Sequence, residues 1–549
     1  MRILKIWTVL LLSGLAVGCY KDKGNYDYSR VNDFEIVMNP ATSNEFGMYK
    51  VNQPALDTAY FTLTAEVNQT ETTGDENLEF EWIRTVSFEN QPYGPYGPTE
   101  LVTKTDTVYT ATITLAFPPG RKTSTDLLCR VKDTETGIEY YKSVSVNTKV
   151  PFYDAWLILH GEKGSRQLGA LEQEEDGTIR WTANMLTSMG VRDYPNMTGI
   201  AYSMFGNDPN EYIETERLFL ISAPDSACAI EPFTCQPISS WGFMRPATRP
   251  LVEIAGDIQV HAGPSHGYAG FVDVDGRFYW GWVQGFFYEA NADNITDCHV
   301  DLFYIGNQGY ATLWDAQNKR FMYYSYEENQ NSGFSPWSGG QRQDHGNGAQ
   351  IKYFEGVTAA EMANKQVLYA GRGTATSNGD EAATMFIAQG ERYSYLYEFR
   401  YSNKGGKSAK GNDGKEEAFG TVTRDSLSLQ FNNDTRFATS EVYDGQLFYA
   451  QENRLSRVIL HSKEEIQLHN VEGTIKAMRF RQPYFNNHTA SAPNYRVLGL
   501  VVEKANGNDV LVEVYLDTAG DVVEVKEHVL EGVSKIVDID FTNVARVMR

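Results

Sequence analysis

The residue types most able to do chemistry are few and scattered. His261 and His266 stand in "VHAGPSHGYAG", and Cys298-His299 follow some thirty residues on. Zinc sites of the protease kind need two imidazoles fixed on one helix face, which a glycine-proline loop does not supply, so these read as loop histidines. Asp273-Val274-Asp275-Gly276 is too short for a calcium loop, whose ligands span about twelve residues, and reads as a hairpin turn. In "SNKGGKSAKGNDGK", residues 402–415, a phosphate-binding loop would need glycine five residues before Gly406, and Tyr401 stands there. This segment reads as a long hairpin loop. No G-x-S-x-G elbow is present, and no cysteine sits in a reactive context. Paired carboxylates for glycoside hydrolysis remain an open alternative, because 71 acidic residues give no means of choosing two. No metal or cofactor is expected.

Non-covalent binding is the chemistry that remains. "FVDVDGRFYWGWVQGFFYEA", residues 271–290, is the densest aromatic stretch. On a strand, Phe278, Trp280 and Trp282 share one face and Tyr279 takes the other. Tyr279, Trp280, Trp282 and Phe287 are the candidate ligand-binding aromatics, as platforms for sugars or grips for peptide side chains. The competing reading is core packing, since aromatic rings supply large buried area. Trp314 and Trp337 carry the same two readings.

The elements that must position these residues are strands. Residues 34–149 hold "FEIVM", "AYFTLTAEV", "LEFEWIR", "TVYTATITLAF", "DLLCRVKD" and "EYYKSVSVNT". Period-two alternation is clear in 107–117 and 127–131, and Asp133 to Gly137 is turn chemistry. Six or seven short strands in this length predict an immunoglobulin-like β-sandwich. From 150 to 549 strand pairs recur about every 40 to 60 residues, with turn dipeptides at Asp176-Gly177, Asp275-Gly276, Asn378-Gly379, Asp444-Gly445 and Asn506-Gly507. That rhythm predicts a β-propeller of about seven blades, with a pair of large sandwiches as the alternative. The fold class is therefore all-β, and only 359–365 looks helical.

Cysteine placement leaves two readings open at one site. Cys228 and Cys235, seven apart around Glu231-Pro232, either close a disulfide in an oxidising compartment or remain thiols. Cys129, inside "DLLCRVKD", reads as a buried free thiol, and Cys298 has no obvious partner.

The N-terminus and the charge say where such a chain works. A basic start, Arg2 and Lys5, precedes an apolar run too short to span a bilayer, so residues 1–18 read as a signal peptide. Residues 19–33 are polar and read as a tether. The formal net charge is −23, and residues 1–18 carry two cations and no acid, so their removal leaves −25. Such a surface disfavours phosphate backbones and argues against nucleic-acid binding.

Ala16-Val17-Gly18-Cys19 resembles the lipobox of bacterial lipoproteins, which implies diacylation of Cys19 and a membrane attachment through lipid alone. Tyr20-Lys21-Asp22-Lys23 is similar to the surface-export signal of Bacteroidetes lipoproteins, implying the outer face of the outer membrane. Asp57-Thr58-Ala59, Asp106-Thr107-Val108, Asp225-Ser226-Ala227, Asp425-Ser426-Leu427 and Asp517-Thr518-Ala519 match the triplet those organisms use for O-glycosylation. With "YKDKGNYDY", "FEWIR", "LLCRVKDTETGIEYYKSVSVNT" and "DAWLILHGEKGSRQLGAL", the chain resembles the PKD-like family lipoproteins of Bacteroidetes. The resemblance implies an Ig-like domain before a larger β-domain, and partnership with a SusC/SusD-type transporter and its lid lipoprotein. It implies a non-catalytic accessory that captures oligosaccharide or oligopeptide, against two alternatives: a surface glycoside hydrolase or lyase, and a purely structural adaptor.

Overall fold

The computed structural model describes residues 32–542 apart from 42–47, 53–57, 72–73, 90–100, 118–122, 150, 153, 174–177, 206–214, 223–225, 231–234, 236, 241–258, 263–268, 273–275, 283–285, 290–296, 306–309, 326–350, 376–381, 402–419 and 482–495. Every sheet is antiparallel except for one edge pairing, and helix is confined to short turns.

The N-terminal strands form two sheets. Phe34–Asn39, Ala59–Gln69 and Thr112–Phe117 make a three-stranded sheet in that order. The five-stranded partner runs Met48–Asn52, Glu139–Lys149, Thr123–Asp133, Leu78–Glu89, Leu101–Val108, with Met48–Asn52 parallel to Glu139–Lys149. Alternation does the sorting: in Thr112–Phe117 the residues Ile113, Leu115 and Phe117 are buried and those between them are exposed. The inward side chains of both sheets meet in one core around Trp82, Leu63, Cys129, Val131 and Val146. That is how two half-apolar sheets hide their faces from water. The alternating run 107–117 is divided between two sheets, breaking at Tyr109 to Ala111, and the short Met48–Asn52 carried no strand signal. Among the described residues the strands here number eight, against the six or seven predicted.

Seven four-stranded sheets follow. Blade 2 is built from Met197–Phe205, Thr215–Ser222, Ser226–Ile230 and Pro237–Ser240, and blade 3 from Gln259–Ala262, Ala269–Val272, Phe278–Trp282 and Phe286–Glu289. Leu302–Ile305, Tyr310–Asp315, Arg320–Ser325 and Lys352–Tyr353 form blade 4, while Gln366–Ala375, Ala382–Gln389, Ser394–Tyr401 and Gly420–Leu427 form blade 5. Blade 6 takes Arg436–Ala438, Gln446–Gln451, Arg454–Ile459 and Glu464–Asn470, and blade 7 takes Thr474–Phe480, Val497–Glu503, Asp509–Leu516 and Val522–His528. Blade 1 alone mixes distant segments: Ile179–Thr182, Gln167–Gln173 and Ala155–His160 are completed by Ile536–Phe541.

The first strands of successive blades are neighbours. Ile536–Phe541 lies between Met197–Phe205 and Thr474–Phe480, Gln259–Ala262 between Met197–Phe205 and Leu302–Ile305, and Gln366–Ala375 beside Leu302–Ile305. Arg436–Ala438 adjoins Thr474–Phe480, and blades 5 and 6 meet where Tyr369 stacks on Phe437 at 5.2 Å. These seven inner strands therefore enclose the axis of a propeller, and the sandwich-pair alternative is set aside.

Apolar faces between blades are the glue. Met385, Ile387 and Leu396 of blade 5 pack with Leu447, Tyr449 and Val458 of blade 6. Asn506-Gly507 makes the tight turn between the second and third strands of blade 7, with Gly507 at φ +81°. The helix Ala359–Met362, capped by Thr358 Oγ1 on the Glu361 amide at 3.2 Å, falls inside the predicted 359–365. A second short helix, Met185–Ser188 capped by Asn184, was not anticipated. Among the described residues no helix is long and apolar enough to cross a membrane.

The chain's way into and out of the propeller is bolted shut. Ala155 N donates to Thr542 Oγ1 at 3.0 Å, Thr542 N donates back to Ala155 O at 2.9 Å, and Thr542 Oγ1 donates to Phe152 O at 2.6 Å. Phe152 N in turn donates to the buried Glu172 carboxylate at 3.0 Å.

Candidate functional site

The aromatic stretch occupies the third and fourth strands of blade 3, with Trp280 paired to Tyr288 and Trp282 to Phe286. These are the outer two strands, so the stretch belongs to the rim of the ring rather than its axis. Phe278 is core: it is buried, with its ring 5.2 Å from Phe303 and 5.9 Å from Tyr324. The side chains of Tyr279, Trp280, Trp282 and Phe287 lie outside the described residues. Trp314 is also core, 4.6 Å from Phe321, and Trp337 lies outside the described residues.

The remaining predicted positions are dispersed. His261 is on the inner strand of blade 3, and His266 lies outside the described residues. His299 Nδ1 is 3.4 Å from Asp301 Oδ2. Cys298 Sγ is 3.7 Å from Met322 Sδ, and burial, with the nearby Asp315 charge, pushes its thiol up to about 11. Cys129 is fully buried, with its thiol pushed up to about 12 by burial, as a core thiol should be. Cys235 is buried with its sulfur 3.9 Å from Met185 O, but the side chain of Cys228 lies outside the described residues, and with it the disulfide question. Cys19 and residues 402–415 lie outside them too. Of the glycosylation-type triplets, Thr107, Ser426 and Thr518 are exposed, Thr58 is half-buried, and the side chain of Ser226 lies outside the described residues. Among the described residues no group of three or more His, Cys, Asp or Glu is placed to hold a metal.

A polar cluster that sequence reasoning did not single out stands at the axis. Asp538 and Asp540 lie two apart on the inner strand of blade 1, inside the apolar segment "IVDIDF". Asp538 Oδ2 accepts from Ile200 N at 3.0 Å and Asp540 Oδ2 from Tyr202 N at 2.7 Å, which ties blade 1 to the inner strand of blade 2. Their other oxygens accept from the next amides, Ile539 N at 2.9 Å and Phe541 N at 2.8 Å. From the opposite side Arg479 Nη1, on the inner strand of blade 7, reaches Asp540 Oδ2 at 2.6 Å. Asp540 thus joins the inner strands of three blades.

Blade 5 contributes Tyr369, whose hydroxyl is 3.1 Å from Thr439 Oγ1 of the blade 6 edge. Burial raises the Tyr369 phenol, while the Arg479 charge works the other way. Blade 6 stands between blades 5 and 7 in the ring, so Tyr369 and Arg479 belong to blades that are not adjacent. Burial also opposes the charge of Arg479, but Asp540 and Asp538 outweigh it and hold the guanidinium above the ordinary arginine value. Asp538 goes the other way from most carboxylates: burial lifts it, against Arg479 and the Ile200 amide.

A second cluster sits at the blade 7 and blade 1 seam, centred on Glu513. Glu513 is buried on the third strand of blade 7, the one acid in "DVLVEVYL" after its first residue. Its Oε1 accepts from Trp156 Nε1 at 2.7 Å and from Arg481 Nη2, and its Oε2 from Tyr515 OH at 2.9 Å and His528 Nε2 at 2.8 Å. Burial opposes ionisation there, but His528, Arg481 and Trp156 more than offset it and hold the carboxyl down at about 2. The Arg481 guanidinium also lies over the Phe541 ring at 4.7 Å. With every oxygen engaged, this cluster is a fastener. The signal for both clusters was available: an acid inside an apolar strand must be paired if it is buried.

Residues 19–196 match the PKD-like family. No curated protein matches the chain. Among solved structures, a quinonprotein alcohol dehydrogenase-like protein from Bacteroides thetaiotaomicron aligns over 91% of this chain and 97% of its own, at 10% identity and TM-score 0.41. The periplasmic gluconolactonase of Pseudomonas aeruginosa aligns over 71% of this chain and 98% of its own, at 13% identity and TM-score 0.40. A putative 6-phosphogluconolactonase from Bacteroides uniformis aligns over 71% and 99%, at 12% identity and TM-score 0.38.

Proposed function

We propose that this protein is a lipid-anchored, non-catalytic binding component of a nutrient-uptake complex on the outer face of the outer membrane. Cys19 carries the acyl anchor, the PKD-like sandwich follows the tether, and the propeller captures an oligosaccharide or oligopeptide. A SusC/SusD-type transporter and its lid lipoprotein are the partners. The lipobox-like sequence and the PKD-like match that begins at Cys19 support the anchor and its setting.

The observation that carries the binding reading is the state of the axial carboxylates. Asp538 and Asp540 each have both oxygens held by backbone amides, an arrangement that fixes polar groups in place rather than leaving one free to move a proton. A second reading, a hydrolase on the same axis, draws on one feature: Asp538 is lifted by burial while Asp540 is ion-paired, and glycosidases set two carboxyls apart in this way.

Gentle detergent extraction of native outer membranes, with a tag on the C-terminus, tests the partnership. A TonB-dependent barrel and its lid co-purifying in fixed ratio is the expected result; emergence of the protein alone removes the partnership. Product analysis after incubation with glycans tests the hydrolase reading. Palmitate labelling that is lost in Cys19→Ala tests the anchor.

A further inference from the structure

The outer end of the seam between blades 3 and 4 bears on what the propeller grips and where, an inference that rests on the binding reading above. Tyr353 ends the fourth, outermost strand of blade 4, directly opposite Met322. Residues so paired point to the same face of a sheet. Met322 is buried and packs in one core with Phe278 of blade 3, so this face of blade 4 is turned toward blade 3. Tyr353 stands at the rim of that face, and it is 44% exposed.

One arginine holds the group together. Arg320, on the third strand of blade 4, donates from Nε to Asp315 Oδ2 at 3.0 Å and from Nη1 to Tyr353 OH at 2.9 Å. Its Nη2 donates to Asp297 O at 3.0 Å and to Asp297 Oδ1 at 3.1 Å. Arg320 Cζ is also 4.7 Å from the centre of the Tyr353 ring. Asp315 is fully buried and anchors the guanidinium from behind, with Asn318 Nδ2 on the same Oδ2 at 2.9 Å. The guanidinium is a rigid fork, so the phenol oxygen and the Asp297 carboxylate on its two neighbouring nitrogens are held side by side. Tyr60, Tyr109, Tyr141 and Tyr393 are exposed as well, but among the described residues only Tyr353 of these has a guanidinium against its ring.

A ring fixed in this way keeps apolar surface in water and loses little freedom when a ligand covers it. Beside it the Asp297 side chain is 61% exposed: Oδ1 is taken by Arg320, and Oδ2 has no hydrogen-bond partner among the described residues. The Tyr353 hydroxyl accepts from Arg320, which leaves its own proton to be donated outward. These groups select by exclusion. A cation finds its place taken, because Arg320 already lies against the ring and on the carboxylate. An anion meets two carboxylates, Asp297 and Asp315, and a guanidinium with four of its five N–H donors spent. What fits is a neutral molecule with an apolar face and hydroxyls around its edge. A pyranose has that shape: its C–H face lies on a ring while its hydroxyls reach a carboxylate and a phenol.

We propose that Tyr353, Asp297 and Arg320 form a rim subsite for one pyranose unit of a neutral glycan. Tyr353 stacks on the sugar, Asp297 Oδ2 accepts from a sugar hydroxyl, and Arg320, itself fixed by Asp315, positions both.

Saturation-transfer NMR on the whole chain tests this, because it reads which ligand protons lie against the protein. Xylohexaose, maltohexaose and mannohexaose are the neutral probes; trigalacturonate, tetralysine and a serine-glycine hexapeptide are the anionic, cationic and peptide ones. At least one neutral glycan binds, with transfer strongest at its ring C–H protons, and the other three probes bind more weakly. Tyr353→Ala weakens that glycan by about 3- to 10-fold, the worth of one aromatic contact. Tyr353→Phe, which keeps the ring, retains most of the affinity, and Asp297→Ala loses about threefold or more. Unchanged melting of the variants shows that the fold is intact. The inference is overturned if no neutral glycan binds, if Tyr353→Ala binds glycan as the parent does, if Tyr353→Phe loses as much as Tyr353→Ala, or if a charged or peptide probe binds more tightly than every glycan. A parent chain that co-purifies with the transporter yet binds no neutral glycan overturns this inference alone. Glycan binding that depends on Tyr353 in a chain that emerges alone keeps the subsite and removes the partnership.

Discussion

Trp156 and Glu513 are 357 residues apart in the chain and 2.7 Å apart in the fold, indole Nε1 to carboxylate Oε1. One stands on blade 1 and the other on blade 7, so this contact crosses the seam where the ring is completed. Around it Arg481, His528 and Tyr515 share the same carboxylate.

Removing the shared acceptor should therefore weaken the seam. Glu513→Ala leaves Arg481 buried without its counter-charge, and breaking one side of a buried pair costs about 3–5 kcal/mol. Equilibrium unfolding in urea should show a midpoint well below the parent's. Glu513→Gln, which retains an acceptor for Trp156, should lose less.

The same carboxyl sets a pH dependence. Glu513 is held at about 2 in the fold, below its ordinary value of 4.5, so its contribution is fully present above about 4.5. Protonation removes it as pH falls from there through about 2. Melting temperature measured from pH 6 down to 2 should fall more steeply in the parent than in Glu513→Gln. Equal slopes would mean that the acid is not stabilised by its neighbours.

Gly499 is a packing requirement. A Cβ there would stand 2.5 Å from Trp156 Cη2, inside the indole that delivers the seam hydrogen bond. Gly499→Ala should cost about 1–3 kcal/mol, as overpacking does. Combining it with Trp156→Phe should give less than the sum, because both changes act on one contact. Strict additivity would contradict that geometry.

Thiol chemistry offers a simple test of burial. Cys129 is enclosed by the sandwich core and its thiol is pushed up to about 12, so it should resist iodoacetamide at pH 8 in the native protein. It should label readily in urea. Native labelling followed by peptide mass analysis would expose a looser core.

Much of the architecture was legible because it depends on period and turn chemistry. The alternation in Thr112–Phe117, the Asp133 turn and Gly507 all appear where their residues predict them. Blade count followed from spacing. The closing of blade 1 by Ile536–Phe541 was not legible, since pairing across some 380 residues leaves no local trace. Site prediction fared worse for a related reason. Aromatic density at 271–290 marks a place where rings are needed, and Phe278 shows that packing is one such need. The axial acids, by contrast, are two ordinary residues in a short strand, and only the ring brings Arg479 to them.

The bolt at Thr542 has a consequence for how the molecule is made. Blade 1 holds the first propeller strands of the chain and also its last, so one of its strands, Ala155–His160, waits unpaired on one side while six further blades are synthesised. Folding that proceeds from the N-terminus leaves an open arc with a bare edge along Ala155–His160 until Ile536–Phe541 arrives. Such long-range pairing is slow, and an unpaired edge invites foreign strands. The arc therefore needs protection for nearly the whole of its synthesis, and a chain cut short by its final dozen residues would keep that edge for good.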